Sequence, residues 1–243
     1  MNMKKLRAYL YPIYRFWIHY RSRNSDLINF VTGYNDFFFQ NLGVDKAEAI
    51  KLYKEIMESI SLPISPNDSM HGVLFAGLKL SDWRPKTILE LGTFMGETAA
   101  YLAALFPDSH LYTINLSPDD PLYAKMHPGE PKENRKVLSQ RLSKPRVNIS
   151  ETNTLWLMLQ DMPDFDLIWL DAGHEYPEVA WDHFFCIQKL KPNGWLFTDD
   201  LKLAQEGETL LIDPAGSDIN HVITYINQRL KNPFQWVLKR ENV

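Results

Sequence analysis

Carboxylate side chains follow two short apolar segments in the second half of the chain. Asp171 closes residues 166–171, and Asp199 and Asp200 close residues 195–200. The carboxyl ends of parallel strands meet at one edge of an open α/β sheet, so we expect these three carboxylates to converge. Hard oxygen ligands suit Mg²⁺, Ca²⁺ or Mn²⁺ rather than zinc, which predicts a divalent-metal site. The alternative is that the aspartates cap the following helices or stay solvated at loop tips.

A glycine-containing turn lies where a strand pattern changes into a helix pattern. Residues 88–91 are nearly continuously apolar, as in a buried strand, and apolar residues recur at helical spacing over 99–106. Gly92 and Gly96 lie between the two patterns. Glycine lets the backbone approach a ligand, and the following helix offers unpaired N–H groups and a positive dipole end. We therefore expect a ligand carboxylate or phosphate here; the alternative is a tight turn that binds nothing.

The spacing of this turn separates two classes of cofactor. A dinucleotide fingerprint needs G-x-G-x-x-G, whereas the chain reads E-L-G-x-x-x-G and has Phe94 at the second glycine position. This disfavours a nicotinamide-type oxidoreductase. With Glu90 followed by Gly92 and Gly96, the sequence resembles the class I S-adenosylmethionine-dependent methyltransferases, whose first motif is an acidic residue, a glycine and a second glycine four positions later.

Further motifs strengthen this resemblance over roughly residues 70 to 200. The pattern D-x-x-H-x-Y at 171–176, the K-P-N-G turn at 191–194 and the D-D pair at 199–200 are similar to catechol, caffeoyl-coenzyme A and macrolide-sugar O-methyltransferases. The resemblance implies metal-assisted O-methylation of a small hydroxylated substrate such as a sugar, polyketide or phenol. It also implies that His174 is the general base, because the similar enzymes place a basic residue there. The alternative is an ordinary hydrogen-bonded loop histidine.

The resemblance also identifies candidate contacts to the cofactor. Thr98, near the helix N-terminus, would bind the methionine carboxylate, and Asp171 would also contact the methionine amino group. Asn153 and Thr154 would lie along the adenine, although they also suit an ordinary helix N-cap. The full predicted set is Glu90, Gly92, Phe94, Gly96, Thr98, Asn115, Leu116, Asn153, Thr154 and Asp171.

Asn115 is a departure from the family pattern. It ends the predicted second strand, 110–115, where the similar enzymes usually have an acidic residue that accepts hydrogen bonds from both ribose hydroxyls. An asparagine accepts one hydrogen bond and donates another, without a charge-assisted bond. This residue and the basic, aromatic N-terminus favour a second hypothesis, in which the chain is a catalytically silent binding or assembly protein with a methyltransferase fold.

The composition bounds the architecture. The chain has 243 residues, of which 45% are hydrophobic and 13% aromatic, enough for one large domain plus an appendage. Strands and helices alternate after residue 70, which predicts an α/β, Rossmann-like, doubly wound and mostly parallel sheet flanked by helices. We expect an N-terminal helical extension over 1–69, including a helix near 46–60, and a methyltransferase-like domain over 70–243. The C-terminus shows one clear strand at 234–239, and whether 210–212 adds another stays open.

The predicted partners follow from local charge. The net charge is −4, yet no acidic residue precedes Asp26, while basic residues and apolar residues at helical spacing fill the first 25 positions. We expect this segment to pack on the catalytic domain or across a homodimer, in preference to an anionic membrane surface. Nucleic-acid methylation is disfavoured because the domain is acidic. The single cysteine, Cys186, excludes an internal disulfide framework and indicates a cytoplasmic location.

Overall fold

The computed structural model describes residues 38–64, 70–126, 134–173, 176–199 and 238–239. Its helices are α1 Lys46–Ser59, α2 Met70–Leu80, α3 Glu97–Leu105, α4 Pro121–Met126, α5 Asn134–Leu142 and α6 Glu178–Lys189, with a 3₁₀ helix at Thr154–Leu159. Its strands are β1 Thr87–Leu91, β2 His110–Asn115, β3 Val147–Glu151, β4 Phe165–Leu170, β5 Leu190–Thr198 and β6 Leu238–Lys239.

The strands form one sheet with the order β3-β2-β1-β4-β5-β6. The first five strands are parallel, and β6 pairs with β5 in the antiparallel direction. The chain runs outward from β1 to β3 on one side and from β4 to β5 on the other, so the order reverses between β1 and β4. The carboxyl ends at such a reversal form the crevice in which open α/β sheets bind ligands. The predicted Rossmann-like, doubly wound fold is confirmed.

The sequence predicts the K-P-N-G segment as a turn that precedes a strand, and the structure differs from this prediction. The segment lies inside β5, and the pairing with β4 shifts register between Phe165 and Leu167 to accommodate it. Asn193 has a positive φ of 61°, which an asparagine tolerates, so the segment is an irregularity within the strand rather than a connection before it. At the C-terminus, the described part of the predicted 234–239 strand is Leu238–Lys239, and residues 210–212 lie outside the described part.

Two hydrophobic clusters cover the two faces of the sheet. One contains buried residues of α1, α2 and α3, and the other joins the sheet to α6 and the 3₁₀ helix. Ala49, Tyr53 and Met57 of α1 belong to the first cluster, so the described part of the predicted extension shares a core with the domain that follows. The boundary between 69 and 70 stays a prediction. Within the described ranges, no helix is long and apolar enough to cross a membrane.

Candidate functional site

The ends of the central strands meet at one rim because backbone hydrogen bonds continue past the last paired residues. The N–H of Gly92 donates to the Ile114 carbonyl at 2.9 Å. On the other side of β1, the N–H of Asp171 donates to the Leu91 carbonyl at 2.8 Å. The turn after β1 is therefore held between the ends of β2 and β4, at the reversal of strand order.

Contacts within the protein restrict both glycines of this turn. Gly92 has a φ of 100°, and a Cβ atom there would lie 1.9 Å from the backbone oxygen of Asp171. Gly96 has a φ of 71°, and its Cβ would lie 2.6 Å from Leu138 Cδ1 of α5. The motif alone suggested that these glycines admit a ligand, whereas the structure shows that β4 and α5 approach the turn from within the fold.

The turn leads directly into α3, whose first residues present N–H groups at the rim. Gly96 occupies the N-cap position and supplies no side-chain cap. The Arg141 guanidinium donates a hydrogen bond to the Met95 carbonyl and lies 3.4 Å from Glu97 Oε1. This arginine fixes the turn from the α5 side. The N-terminus of α3 thus offers backbone donors and a positive dipole end to an anionic group.

Glu90 is fully buried beside the turn. The Thr113 hydroxyl donates a hydrogen bond to Glu90 Oε2, and the Thr93 and Thr113 hydroxyl oxygens are 2.5 Å apart. Glu90 Oε1 has no hydrogen-bond partner among the described residues. Burial raises the pKa of Glu90 to about 8, the Thr113 hydrogen bond opposes this shift, and the negative charge of Asp171 adds to it. The carboxyl is therefore largely protonated at neutral pH.

Glu90→Gln is expected to flatten the dependence of stability on pH. The folded-state pKa is raised, so the stability linked to Glu90 is fully present below about pH 4 and is lost as pH rises through about 8. The wild-type free energy of unfolding should fall by about 2 kcal/mol more than that of the variant between pH 6 and 8. Denaturant titrations at several pH values measure this difference. The exposed Glu58→Gln variant serves as control, and parallel curves for wild type and Glu90→Gln would contradict the assignment.

Asn115 contacts the turn as well as ending β2. The N–H of Phe94 donates to Asn115 Oδ1 at 3.3 Å, which links the second strand to the first motif. Phe94 has a φ of 45° and an exposed side chain. Leu116 follows Asn115 and is half-buried. The Asn115 oxygen is therefore engaged with the turn, so its amide N–H groups are the part best suited to a ribose oxygen.

Asn153 and Thr154 occupy the start of the 3₁₀ helix after β3. Asn153 Oδ1 accepts a hydrogen bond from the N–H of Leu155 at 3.0 Å, so the capping interpretation of this residue is correct. Thr154 lies near Asp182 of α6, a residue that no sequence motif had indicated. Burial raises the pKa of Asp182 to about 6; the Thr154 hydroxyl lowers this pKa, and the negative charge of Glu178 raises it. Neither carboxylate oxygen of Asp182 has a well-formed hydrogen bond within the described ranges.

The predicted metal ligands are only partly described. Leu170 pairs with Thr198, and the N–H of Asp199 donates to the Leu170 carbonyl at 2.9 Å, so Asp171 and Asp199 follow neighbouring strands side by side. Asp200 and the predicted base His174 lie outside the described residues. Among those that are described, no three His, Cys, Asp or Glu side chains form a group that could hold a metal ion. The carboxylate oxygens of Asp171 and Asp199 are donors that suit a hard divalent ion. The complete metal site stays a prediction.

His71 lies beside the predicted cofactor residue Thr98, and the sequence motifs did not reveal it. Its Nε2 lies 3.4 Å from Thr98 Oγ1, and its ring stacks on Trp169 with a centroid distance of 4.8 Å. A histidine on the first turn of the helix before β1 is a weak signal in the sequence. Only the packing of α2 against α3 brings it to Thr98.

Comparisons with known proteins agree with this geometry. Residues 89–201 match a family model described as a methyltransferase domain. No curated protein sequence matches the chain.

Three solved structures are similar in fold. The O-methyltransferase from Bacillus cereus in complex with S-adenosylhomocysteine is 14% identical, with 76% of this chain and 80% of that chain covered and a TM-score of 0.47. The S-adenosylhomocysteine-bound methyltransferase PaMTH1 of Podospora anserina is 15% identical, with 86% and 88% covered and a TM-score of 0.48. The O-methyltransferase TomG from Streptomyces achromogenes, in complex with S-adenosylmethionine, is 22% identical, with 62% and 64% covered and a TM-score of 0.41.

These similarities concern the fold alone, and the match to the methyltransferase domain covers less than half of the chain. That match begins within β1 and ends just beyond β5, so it contains the turn, the rim and the strand ends described above. Residues 89–201 therefore correspond in sequence to a methyltransferase domain.

Proposed function

We propose that this protein is a class I S-adenosylmethionine-dependent methyltransferase, which transfers a methyl group to a hydroxyl oxygen of a small molecule with the assistance of a divalent metal ion. The observation that carries the proposal is the turn after β1, fixed between the ends of β2 and β4 inside a methyltransferase domain. The side-by-side position of Asp171 and Asp199 supports the metal-assisted branch of that family.

The cofactor's two ends would meet different residues of the rim. Thr98, at the start of α3, would bind a carboxylate together with the helix N-terminus. Asn115, at the end of β2, would contact the ribose, with Leu116 and Phe94 beside it. Asn153 and Thr154, at the start of the 3₁₀ helix, would line the adenine. Glu90 supports the turn from beneath through Thr113.

The substrate end of the site would be formed by the carboxylates and His174. S-adenosylmethionine supplies the methyl group, and a divalent ion held by Asp171, Asp199 and Asp200 would supply Lewis acidity. His174 would accept the proton from the substrate hydroxyl. Exposed apolar side chains near the rim, such as Phe94 and Tyr176, would exclude water from a bound small molecule.

Calorimetric titration tests the proposed cofactor directly. We expect S-adenosylhomocysteine to bind with a dissociation constant in the low to middle micromolar range, or about −7 to −8 kcal/mol. NAD should give no heat, because the turn lacks the dinucleotide spacing. The titration is repeated with and without Mg²⁺. An absence of both heat and thermal shift at millimolar S-adenosylhomocysteine would overturn the proposal.

Asn115→Asp is expected to tighten the binding of S-adenosylhomocysteine by about 1 to 2 kcal/mol. One carboxylate oxygen can still accept the N–H of Phe94, and the other adds a charge-assisted bond to a ribose hydroxyl. The same calorimetric titration measures the change. Asn148→Asp, on the exposed surface of β3, is the matched control. Unchanged or weaker binding in Asn115→Asp would mean that another residue contacts the ribose.

A further inference from the structure

We infer that His71, on the first turn of α2, is a positioning residue in the site for the amino-acid end of the cofactor. It orients the Thr98 hydroxyl, which in turn binds the carboxylate of the cofactor. This inference rests on the proposed function, because it assigns a role within the same cofactor site. It adds an element outside residues 89–201, the part of the chain that matches the methyltransferase domain.

The position of the His71 ring is fixed by aromatic packing. The ring stacks on Trp169 of β4 at 4.8 Å and 25°, and it lies 6.0 Å from the Phe75 ring one turn further along α2. Trp169 is almost fully buried and precedes Asp171 by two residues. The imidazole is therefore held at the rim between β4 and the start of α3.

The hydrogen bond to Thr98 gives this position a chemical role. Nε2 of His71 is 3.4 Å from Thr98 Oγ1, which is long for a hydrogen bond and leaves room for it to tighten when a ligand is bound. When Nε2 carries a hydrogen atom, it donates to Oγ1, and the hydroxyl hydrogen of Thr98 points elsewhere. That hydrogen is then available to a carboxylate oxygen at the N-terminus of α3.

Buried polar atoms beside His71 indicate a polar ligand group at this end of the crevice. The strand register places Thr113, Glu90 and Trp169 side by side on three neighbouring strands. Glu90 Oε1 and Trp169 Nε1 are both buried without a hydrogen-bond partner in the described part of the chain. Such atoms are rare in folded proteins unless a ligand, water or ion completes them.

The polar and charged groups at the end of the crevice beside His71 match the two charged groups of an α-amino acid. The Asp171 carboxylate follows β4 and suits an ammonium group, and a bound ammonium would favour the ionised form of the neighbouring Glu90 carboxyl on β1. The N-terminus of α3, the Thr98 hydroxyl and the His71 imidazole suit a carboxylate. The α-amino-acid end of the cofactor presents both groups on one carbon atom, so the pattern fits its zwitterion.

The test compares S-adenosylmethionine with decarboxylated S-adenosylmethionine, which lacks only the carboxylate. In His71→Phe the ring can still stack on Trp169, but the hydrogen bond to Thr98 is lost. We expect this variant to bind S-adenosylmethionine about tenfold more weakly, or by about 1.4 kcal/mol. Its affinity for the decarboxylated ligand should change by less than about twofold. Calorimetric titration of both ligands measures the two effects on the full chain.

Two further variants separate this role from a structural one. His71→Gln places an amide N–H near the former Nε2 position, so we expect it to retain S-adenosylmethionine affinity within about threefold of wild type. His110→Phe, at the exposed start of β2 and the opposite edge of the sheet, should leave both affinities unchanged. Equal losses for the two ligands in His71→Phe, or no loss for either, would overturn the inference while leaving the proposed function standing. If the wild-type protein bound neither ligand, the inference about His71 and the proposed function would both be contradicted.

Discussion

Gly92→Ala should abolish the binding of S-adenosylhomocysteine. The new Cβ would lie 1.9 Å from the backbone oxygen of Asp171, and the φ of 100° at this position is strained for any residue with a side chain. Relief requires the turn and the end of β4 to separate, which displaces Asp171 and breaks its backbone hydrogen bond to the Leu91 carbonyl. We expect a loss of more than about 100-fold in affinity and of about 3 kcal/mol or more in the free energy of unfolding.

Two other glycine variants separate the clash from the backbone strain. Gly43 also has a positive φ, 66°, but no atom lies within 4 Å of the position that a Cβ would take, so Gly43→Ala isolates the strain. We expect it to cost about 1 kcal/mol and to leave affinity intact. In Gly96→Ala the new Cβ meets only side-chain atoms, those of Leu138 and Leu142, and the variant should show an intermediate effect. Calorimetry and thermal melts rank the three variants, and wild-type affinity in Gly92→Ala would contradict the role given to this turn.

His174→Ala should lower turnover by about 10²- to 10⁴-fold, the usual contribution of a positioned general base. The affinity for S-adenosylhomocysteine should stay within about threefold of wild type, since the base acts on the substrate hydroxyl. Transfer of a radiolabelled methyl group to a panel of small hydroxylated molecules measures turnover. Wild-type activity should rise with pH as the histidine loses its proton, and the variant should lack that rise.

The metal part of the mechanism has a readout that needs no substrate. In Asp199→Ala, we expect the binding of Mn²⁺, followed by electron paramagnetic resonance, to be lost while S-adenosylhomocysteine still binds. Asp164→Ala, at the opposite edge of the sheet and exposed, is the matched control. Full activity of the wild-type enzyme in excess chelator would refute metal assistance. An unchanged rate in His174→Ala would remove the base and leave the methyltransferase assignment in place.

The fold and the methyltransferase motif could be predicted from the sequence because both are expressed over short stretches. The change from a continuous apolar run to helical spacing around Gly92 defines a strand, a turn and a helix. The predicted limits of 46–60 and 110–115 agree with α1 and β2 to within one residue. The spacing between Gly92 and Gly96 predicts a methyltransferase motif rather than a dinucleotide motif, and residues 89–201 match a methyltransferase domain.

Contacts between distant parts of the chain were decided only by the tertiary structure. The sequence identified Gly92 as special, but the reason is the carbonyl of Asp171 on another strand. Glu90 was recognised as part of a motif, whereas its raised pKa comes from complete burial beneath the turn. His71 reaches Thr98 and Trp169 because α2 packs on α3 and β4. Hydrophobic periodicity and backbone freedom are properties of short stretches of sequence. The desolvation of a side chain and the close approach of two backbone segments depend on which distant residues the packed sheet brings together.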